Sequence, residues 1–422
     1  MATYEQIAEV YLEIKALEID HAFDYKIPFD LIGKLSIGDI VYIPFKKRKE
    51  IGYISRIKNK SKVPEENLKC IEKIISQIPV FDKQRLKLIY WMSFYYIQSV
   101  SKIIELFLPP GAKNKIETLT KPENFFRYEL FLFLNKENLK KFRDTINLNR
   151  SPCKKRIIDF LIQNKDLLNN GIKKSELLKK MRVNKKSLND LIANKIIEIV
   201  KKRVGSDNEC IVSYDKDKNS SGRNSNETIL NPYQKNCINS IKKFINKDNF
   251  KCFLIEGLKE YERIDLYRQL CREVLSQERQ VLILTPEIML APRFYEKFNK
   301  EFRAKIGVYH SDMNERERFE KWFDIYKNTY NILIGTRSAL FTPLNNLGII
   351  IIDDEKDTSY KENTIVRYNA QDVAVKLGKI MKIPVVFCSS IPSITTKYKS
   401  QNQKDFMSII MPERKESKIS FI

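Results

Sequence analysis

The chain has 422 residues, of which 43% are hydrophobic and 31% are charged, a balance typical of a soluble globular protein. Its length exceeds one ordinary hydrophobic core, so we expect two to four domains. The formal net charge of +23 is large enough to attract polyanions, and nucleic acid is the first candidate. A general enrichment in Lys, Asn and Ile would give the same excess, so charge alone leaves both explanations open.

Several classes of protein are excluded by the cysteines and the apolar runs. No Cys-x-x-Cys pair occurs, which argues against a zinc site or a disulfide framework and favours a reducing compartment. The amino terminus lacks the basic end and apolar run of a signal peptide, and no apolar stretch is long enough to span a bilayer. We therefore expect a cytoplasmic protein with no zinc or other cysteine-bound metal site and no membrane partner.

Residues 1–112 are predicted to form a β-rich domain that ends in an aromatic helix. Short runs such as HAFDYKIP and GDIVYIPF favour strands broken by Gly, Pro and Asp, which indicates a small barrel or sandwich. The run LKLIYWMSFYYIQSVSKIIELFLPP then predicts a helix that stops at Pro109 and Pro110. We expect its aromatic side chains to pack in a core, with a stacking surface as the alternative.

Residues 113–205 are predicted to form a winged helix. Short basic helical patterns are followed there by the strand-like run IIEIVKKR. The third helix would carry Lys185, Lys186 and Asn189 towards a DNA groove or a phosphate, although many winged helices dock proteins instead. Residues 206–228, which include the polar run SYDKDKNSSGRNSNET, should form an exposed linker.

Residues 229–422 are predicted to form a parallel sheet covered by helices on both faces, which gives a multidomain α/β protein. Continuous apolar strands alternate there with amphipathic helices, and ligands bind such sheets at the carboxyl ends of the strands. Asp353 and Asp354 follow the apolar run GIIII, where one carboxylate could hold Mg²⁺ and the next could orient a water. Solvated acids at the end of a strand are the alternative.

A second strand end carries the run GTRSALFTP. Its backbone N–H groups and the side chains of Thr336, Arg337 and Ser338 could bind the phosphates of a single nucleic-acid strand. Alone, this signal is not specific to one class of protein.

Together these motifs resemble the first helicase lobe of the primosomal protein N′ (PriA) family of replication-restart DNA helicases. The resemblance is carried by LILTPEIMLAPRF, VYHSDMNERERFEKW, ILIGTRSALFTPLNNLGIIIIDDEKDTSYKE and RYNAQDVAV, in that order and spacing. The runs FDYKIP, GDIVYIPF and IGYI resemble the family's domain that binds a DNA 3′ end, so the resemblance spans nearly the whole chain. It implies a RecA-like lobe at residues 229–422, with ATP and Mg²⁺ as the family's cofactors.

The resemblance also implies a 3′-end site formed by Phe23, Asp24 and Tyr25, with help from Lys46 and Lys69. An aromatic ring can stack on the terminal base, a carboxylate can accept from its hydroxyl, and lysine can meet the phosphate. The family usually has glycine where this chain has Lys46, so a close approach of the backbone there is in doubt. Core positions for Phe23 and Tyr25 are the alternative interpretation.

Two further assignments follow from the resemblance. Gln234, in LNPYQ, corresponds to the family's adenine-reading motif. The aromatic loop that senses DNA in the family falls at Ser359 to Tyr368, but the tryptophan expected near Val366 is missing, which puts its coupling to hydrolysis in doubt. The DNA contacts retained in this loop are Tyr360, Lys361, Arg367 and Tyr368.

The phosphate loop that should follow Gly257 departs from the family pattern. Arg263 stands where the family has its phosphate-binding lysine, and Ile264 stands where a hydroxyl should hold Mg²⁺. Glu260 and Glu262 would crowd a phosphate and repel it. We therefore expect only the remnant of a nucleotide site.

Other catalytic positions differ as well. Asp354 replaces a glutamate, Lys356 replaces a histidine, and the coupling motif Ser-Ala-Thr is replaced by the run from Ser389 to Ile391. From the end of the chain at KISFI and the lack of clustered cysteines we expect that the family's zinc module and second lobe are absent.

Three functions remain open. The first is a DNA-binding replication-restart protein that recognises stalled or branched forks without unwinding them, with helicase-loading proteins and single-strand-binding protein as partners. The second is the lobe of an ATP-dependent 3′–5′ DNA helicase that a separate polypeptide completes. The third is a winged-helix DNA-binding regulator that keeps the lobe as a scaffold.

Overall fold

The computed structural model divides the chain into two compact units, one of residues 1–122 and 212–422 and one of residues 123–211. Among the described residues, no helix is both long and apolar enough to cross a membrane. The predicted linker, residues 206–228, lies outside the described residues. The structure describes residues 6–13, 20–76, 78–111, 119, 126, 128–135, 138, 152–164, 171–181, 185–203, 232–247, 249–286, 298, 302, 306–364 and 366–412.

The first unit begins with a five-stranded antiparallel sheet in the order β2-β1-β4-β3-β5. The strands are β1 (Ile7–Leu12), β2 (Phe23–Lys26), β3 (Ile40–Phe45), β4 (Arg48–Lys58) and β5 (Lys73–Ser76). The edge strand β2 is joined to the segment before β5, because the N–H of Lys26 donates to the carbonyl of Lys69 at 2.8 Å and the N–H of Ile71 donates to the carbonyl of Lys26 at 3.0 Å. This junction closes the sheet into a small barrel around an apolar core.

The aromatic run after the barrel forms two helices, α1 (Lys83–Tyr96) and α2 (Val100–Phe107), so the prediction of one helix was wrong. Helix α1 ends where Ile97 adopts a left-handed backbone with φ of 53°. Helix α2 starts afresh after Ser99, whose side chain accepts the N–H of Lys102, while Asp20 accepts the N–H of Val100 at 2.8 Å. Both helix ends are therefore fixed by hydrogen bonds, one of them to the distant Asp20, that hydrophobic periodicity does not reveal.

The second unit, taken by itself, packs helices against a three-stranded antiparallel sheet in the order β7-β6-β8. Its described elements are β6 (Tyr128–Leu134), α3 (Pro152–Gln163), β7 (Ile172–Lys173), α4 (Lys174–Met181), α5 (Lys185–Ala193) and β8 (Ile197–Arg203). Lys186 and Asn189 are exposed on α5, the predicted third helix. Three helices followed by a strand match the predicted order, and the winged helix stays a prediction.

The remainder of the first unit is a seven-stranded sheet in the order β11-β12-β10-β13-β14-β9-β15, and every pair of neighbouring strands is parallel. Its strands are β9 (Cys252–Glu256), β10 (Gln280–Leu284), β11 (Ile306–Tyr309), β12 (Ile332–Gly335), β13 (Leu347–Asp353), β14 (Val385–Ser389) and β15 (Phe406–Ile410). Its helices are α6 (Pro232–Asn246), α7 (Glu260–Leu275), α8 (Glu315–Tyr326), α9 (Ala370–Met381) and α10 (Ile394–Asn402). The central strands are buried from end to end, and the predicted parallel α/β lobe is confirmed.

Within the first unit, α1 and α2 attach the barrel domain to this lobe. The buried guanidinium of Arg85 donates to the carbonyls of Thr342 at 3.0 Å and Leu344 at 2.6 Å. The rings of Phe107 and Phe341 meet edge to face, with 5.2 Å between their centroids. Helix α2 therefore lies beside the loop that follows β12.

Candidate nucleotide and nucleic-acid sites

The end of β13 brings Asp353 against two side chains of α7. The Nε of Arg263 donates to Oδ1 of Asp353 at 2.7 Å, and the hydroxyl of Tyr267 donates to the same oxygen at 2.7 Å. Asp353 is fully buried, and its other oxygen, Oδ2, has no hydrogen-bond partner among the described residues. Burial raises the pKa of the Asp353 carboxyl, while Arg263 and Tyr267 oppose that rise. The carboxylate expected to hold Mg²⁺ is thus bound by the chain's own arginine.

The connection between β9 and α7 is too short to wrap around a phosphate. Only residues 257–259 separate the strand from the helix. Gly257 has a φ of 85°, and a Cβ atom there would lie 2.7 Å from the carbonyl oxygen of Met411, so the position needs glycine for the turn itself. The N–H of Lys259 donates to Oε2 of Glu262 at 3.0 Å, which places a carboxylate of the chain at the helix amino terminus.

These residues do not fit ATP with Mg²⁺. The helix amino terminus, where a phosphate would bind, is occupied by Glu262, and the guanidinium of Arg263 is held by Asp353. Ile264 is buried in the core of the lobe and offers no oxygen to a metal, and Gln234 is buried on α6. Across the described ranges, no group of three or more His, Cys, Asp and Glu side chains could hold a metal ion.

The acids after Asp353 connect this region to α10. Asp354 has a left-handed backbone with φ of 43°, and its Oδ1 lies 3.0 Å from the hydroxyl oxygen of Ser389. Glu355 is fully buried beside the start of α10, where its carboxylate accepts the N–H of the N-cap residue Ser393 at 2.6 Å and the hydroxyl of Thr396 at 2.8 Å. Sequence reasoning missed Glu355. The Ser-x-x-Thr run at the start of α10 marks a cap, but its distant partner has no local signal.

The loop after β12 is tied to the aromatic loop through Arg337. Its Nε donates to Oε2 of Glu362 at 3.0 Å, and its Nη1 donates to the carbonyl of Ser359 at 2.9 Å. Burial opposes ionisation of Glu362, but hydrogen bonds from Thr364 and Arg337 hold the pKa of its carboxyl below the usual range. This ion pair links the two predicted DNA-contacting segments.

The predicted DNA contacts of the aromatic loop divide into buried rings and exposed cations. The hydroxyl oxygen of Tyr360 lies 2.6 Å from the carbonyl oxygen of Asp353, and the ring of Tyr368 packs on Phe341 at 5.0 Å. Both tyrosines are buried, whereas Lys361 and Arg367 are exposed. The tyrosines therefore hold the loop against the end of the sheet, and the cations face solvent.

The predicted 3′-end residues fall in two places on the barrel. The ring of Phe23 packs on Phe45 at 5.3 Å, the ammonium of Lys46 lies 5.9 Å from the centre of the Phe45 ring, and Lys69 donates to the carbonyl of Lys46 at 3.4 Å. Tyr25 is buried in the barrel core, where its hydroxyl donates to the carbonyl of Pro44 at 3.3 Å. Phe23, Lys46 and Lys69 are thus brought together, with Tyr25 beneath them.

Asp24 points to the other face of β2, because successive side chains of a strand alternate. Its Oδ1 forms an ion pair with Lys58 at 2.8 Å, and its Oδ2 accepts the hydroxyl of Ser61. Lys58 also forms an ion pair with Glu9 at 2.6 Å. Partial burial opposes the charge of the Lys58 ammonium, but Asp24 and Glu9 raise its pKa. Sequence reasoning missed Lys58, which lies 34 residues from Asp24 (58 − 24) and carries no local signal.

Position 46 has the backbone of a glycine. Lys46 begins the turn between β3 and β4 with a φ of 51°. This left-handed conformation is strained for a lysine and costs glycine little. Lysine in place of the family's usual glycine at position 46 therefore carries a local cost in backbone free energy.

Two family models match the chain, and several curated proteins are similar to it. The models are the 3′DNA-binding domain of PriA, at residues 9–109, and the DEAD/DEAH box helicase, at residues 252–390. Replication restart protein PriA of Bacillus subtilis (strain 168) is 25% identical to this chain, and the alignment covers 93% of this chain and 54% of that protein. The Haemophilus influenzae protein of the same name is 28% identical, and the alignment covers 94% of this chain and 51% of that protein. The chain therefore spans about half the length of these relatives.

Solved helicase structures share a weaker likeness. A structure of RecG bound to a three-way DNA junction gives a TM-score of 0.33 at 14% identity and covers 44% of this chain and 24% of that chain. The helicase domain of Pyrococcus furiosus Hef gives the same TM-score and identity and covers 44% of this chain and 38% of that chain.

Proposed function

We propose that the chain binds DNA at stalled or branched forks and does not hydrolyse ATP. The premise is that it is a relative of replication restart protein PriA along more than nine tenths of its length. The match of residues 9–109 to the 3′DNA-binding domain and the net charge of +23 support DNA as the ligand. Helicase-loading proteins and single-strand-binding protein are the partners that this function implies.

One observation carries the second half of the proposal, the internal ion pair between Arg263 and Asp353. In an active site of this kind the cation at position 263 would bind a phosphate and the carboxylate at position 353 would bind Mg²⁺. Here the two groups neutralise each other in a buried site, and Glu262 takes the place of a phosphate at the start of α7. ATP would have to displace both contacts without gaining a hydroxyl for its metal.

An ATPase assay on the whole chain tests this half. We expect no release of phosphate from ATP and Mg²⁺ above that of the Asp353→Asn variant, with or without forked DNA. A parallel titration with a fluorescent ATP analogue separates binding from turnover. DNA-stimulated turnover that the Asp353→Asn variant lacks would contradict the proposal.

A fork-binding assay tests the first half. The Asp24→Asn variant removes the charge that pairs with Lys58 and that could accept a terminal 3′ hydroxyl in place of the Ser61 hydroxyl, so we expect about tenfold or greater loss of affinity for a fork with a free 3′ end. The matched control is Asp30→Asn, an exposed acid of the same domain. Affinity should fall steeply with salt, because phosphate contacts release counterions.

Two results would count against this half. The first is equal affinity of the Asp24→Asn and Asp30→Asn variants for the fork. The second is indifference of the natural sequence to a phosphate that blocks the 3′ hydroxyl. Circular dichroism of both variants separates loss of binding from loss of folding.

A further inference from the structure

Strand β15 forms one edge of the parallel sheet, and it lacks the features that usually keep an edge strand from pairing. Among the described residues β9 is its one neighbour, and its register with β9 is unbroken from Phe406 to Ile410. The strand, FMSII, contains no charged residue, no proline and no bulge. Such features normally block edge strands, whose free backbone groups can otherwise pair with another strand. The edge at β15 is therefore open to a further strand.

The backbone groups of Ser408 and Ile410 point away from β9. The N–H of Met411 donates to the carbonyl of Glu256 at 2.9 Å, so the odd-numbered positions of the strand bond to β9. Alternate residues of a strand bond to opposite sides, and the N–H and C=O groups of Ser408 and Ile410 therefore lie on the outer side. Phe406 also has its carbonyl on this side. These groups can receive a new strand without breaking a bond to β9.

Large apolar side chains are exposed along this edge. Met407 is 41% exposed on one face of β15, and Ile410 is 66% exposed on the other face. The strand at the opposite edge of the sheet, β11, differs, because Ile306 and Tyr309 are both buried there. The edge at β15 thus leaves apolar surface in water, and a covering strand would remove it. Burial of such surface is the main driving force of protein association.

Helix α10, which packs on β15, adds apolar surface beyond the edge. Its buried Thr396 donates to Glu355, which follows the central strand β13, so this side of the helix faces the centre of the sheet. Ile394 and Tyr398 are each two residues from Thr396, and with 3.6 residues per turn they lie almost opposite to it. Both are exposed, at 89% and 65%. The outer side of α10 is therefore apolar and faces away from the centre of the sheet.

The charges near this surface are paired within the chain. Lys397 of α10 forms an ion pair with Glu256 at 2.6 Å, and Lys399 forms one with Asp372 at 2.9 Å. These are the two cations of α10, and β15 has none. In a chain of net charge +23 this surface is neutral and offers no free cation to the phosphates of DNA. It suits another neutral, apolar protein surface, and a second copy of the chain presents one.

We propose that two copies of the chain associate through β15, which pairs antiparallel with β15 of the second copy around a two-fold axis at Ser408. The N–H groups of Ser408 and Ile410 then donate to the carbonyls of Ser408 and Phe406 of the other copy. In this register apolar residues meet on both faces of the sheet, since Phe406 lies opposite Ile410 and Met407 lies opposite Ile409. The edge is therefore complementary to itself, as a two-fold interface requires.

The same two-fold axis brings the two α10 helices together. It runs perpendicular to the sheet, so both helices lie on the same face of the joined sheet and run antiparallel to each other. Their outer sides, with Ile394 and Tyr398, then meet above the junction at about 8 to 10 Å between axes, which is the usual distance for packed helices. The interface thus has a strand layer and a helix layer. It goes beyond the proposed function and does not depend on DNA binding.

Sedimentation velocity of the whole chain tests the association. We expect the sedimenting species to change from one chain to two as the concentration rises to about 100 µM, a range that also detects a weak dimer. Hydrogen exchange followed by mass spectrometry on the same samples locates the contact. Amides of β15 should exchange about fivefold more slowly, or slower still, at the highest concentration, whereas those of the opposite edge strand, β11, should not change.

Substitution of Ile410 tests the strand pairing itself. We expect Ile410→Lys to raise the dissociation constant of the dimer by about tenfold or more, because a lysine on an edge strand must be desolvated when the strand is covered. Ile162→Lys, at an exposed isoleucine of α3, makes the same exchange elsewhere in the chain and should dimerise as the natural sequence does. Both positions are exposed, and circular dichroism checks that both variants fold.

Four results would overturn the inference. The first is a single chain at every concentration, and the second is an equal dissociation constant for the Ile410→Lys and Ile162→Lys variants. The third is a dimer in which the amides of β15 exchange as fast as in the single chain, because the contact then lies elsewhere. The fourth is slower exchange in β15 of the single chain when a thymidine oligonucleotide is added, which would assign the edge to DNA. None of these results bears on the fork-binding and ATPase assays of the proposed function.

Discussion

Replacing Arg263 with methionine tests whether the remnant nucleotide site now stabilises the lobe. The substitution keeps much of the side-chain volume and removes the guanidinium, which leaves the buried carboxylate of Asp353 with only the hydroxyl of Tyr267. Removal of one partner from a buried ion pair typically costs about 3 to 5 kcal/mol. In a domain of about 150 to 250 residues each kcal/mol lowers the unfolding midpoint by roughly 2 to 4 °C. We therefore expect the midpoint of the lobe to fall by about 6 to 20 °C.

A matched control lies on the same helix. Arg268 pairs with Asp265 at 3.1 Å, and both side chains are partly exposed, so Arg268→Met should cost no more than about 1 kcal/mol. Thermal unfolding followed by circular dichroism gives the two midpoints under one set of conditions. The double variant Arg263→Met with Asp353→Leu should recover much of the loss, because no unpaired charge then stays buried.

Two results would refute the reasoning. One is a midpoint for Arg263→Met that falls no further than that of Arg268→Met, which would mean that the ion pair does not stabilise the lobe. The other is a rise of several degrees in the unfolding midpoint of the natural sequence when ATP and Mg²⁺ are added. A ligand stabilises the state that binds it, so such a rise would mean that the site still binds nucleotide.

Three further changes have expected outcomes. Lys46→Gly should raise the unfolding free energy of the barrel by about 1 kcal/mol in urea titration, because the φ of 51° at this position strains a lysine more than a glycine. A loss of stability in this variant would show that the backbone at position 46 is not strained. Glu355→Ala should cost about 2 kcal/mol or more and speed hydrogen exchange in α10, since several donors lose their acceptor; unchanged exchange would contradict this. Burial raises the pKa of Asp39 from 3.8 to about 6, so the folded state binds its proton more tightly and the unfolding free energy should fall by roughly 2 to 3 kcal/mol between pH 4 and pH 6. Asp39→Asn should remove that slope, and an equal slope in this variant would assign it to another group.

The architecture of the lobe could be predicted from local pattern. A strand buried on both faces of a parallel sheet has to be apolar at every position, so β13 reads as a continuous apolar run. Position 97 shows the limit of this approach. Ile97 adopts a left-handed backbone that ends α1, and an isoleucine in an apolar helical pattern gives no sign of it.

The candidate site could be predicted only as a set of positions. The resemblance to the family placed Arg263 at the phosphate-binding position, and the end of an apolar strand placed Asp353 at the metal-binding position. That these two side chains bind each other was not predictable, because 90 residues separate them and each had been assigned to a different ligand. Tyr267 did have a signal, since a residue four positions after Arg263 lies on the same face of the helix.

The sequence by itself determined the alternation of strands and helices in the lobe and the acids and cations at the strand ends. Through the family resemblance it also showed the loss of the glycines, lysine and hydroxyl that a phosphate loop requires. These properties depend on neighbouring residues and on fixed spacings, which a linear pattern preserves. Only the tertiary structure decided that Arg263 pairs with Asp353, and that the carboxylate of Glu262 lies at the amino terminus of α7. The ion pair joins segments that are far apart in the chain, and the energies of both contacts come from burial and distance, which exist only in the folded protein.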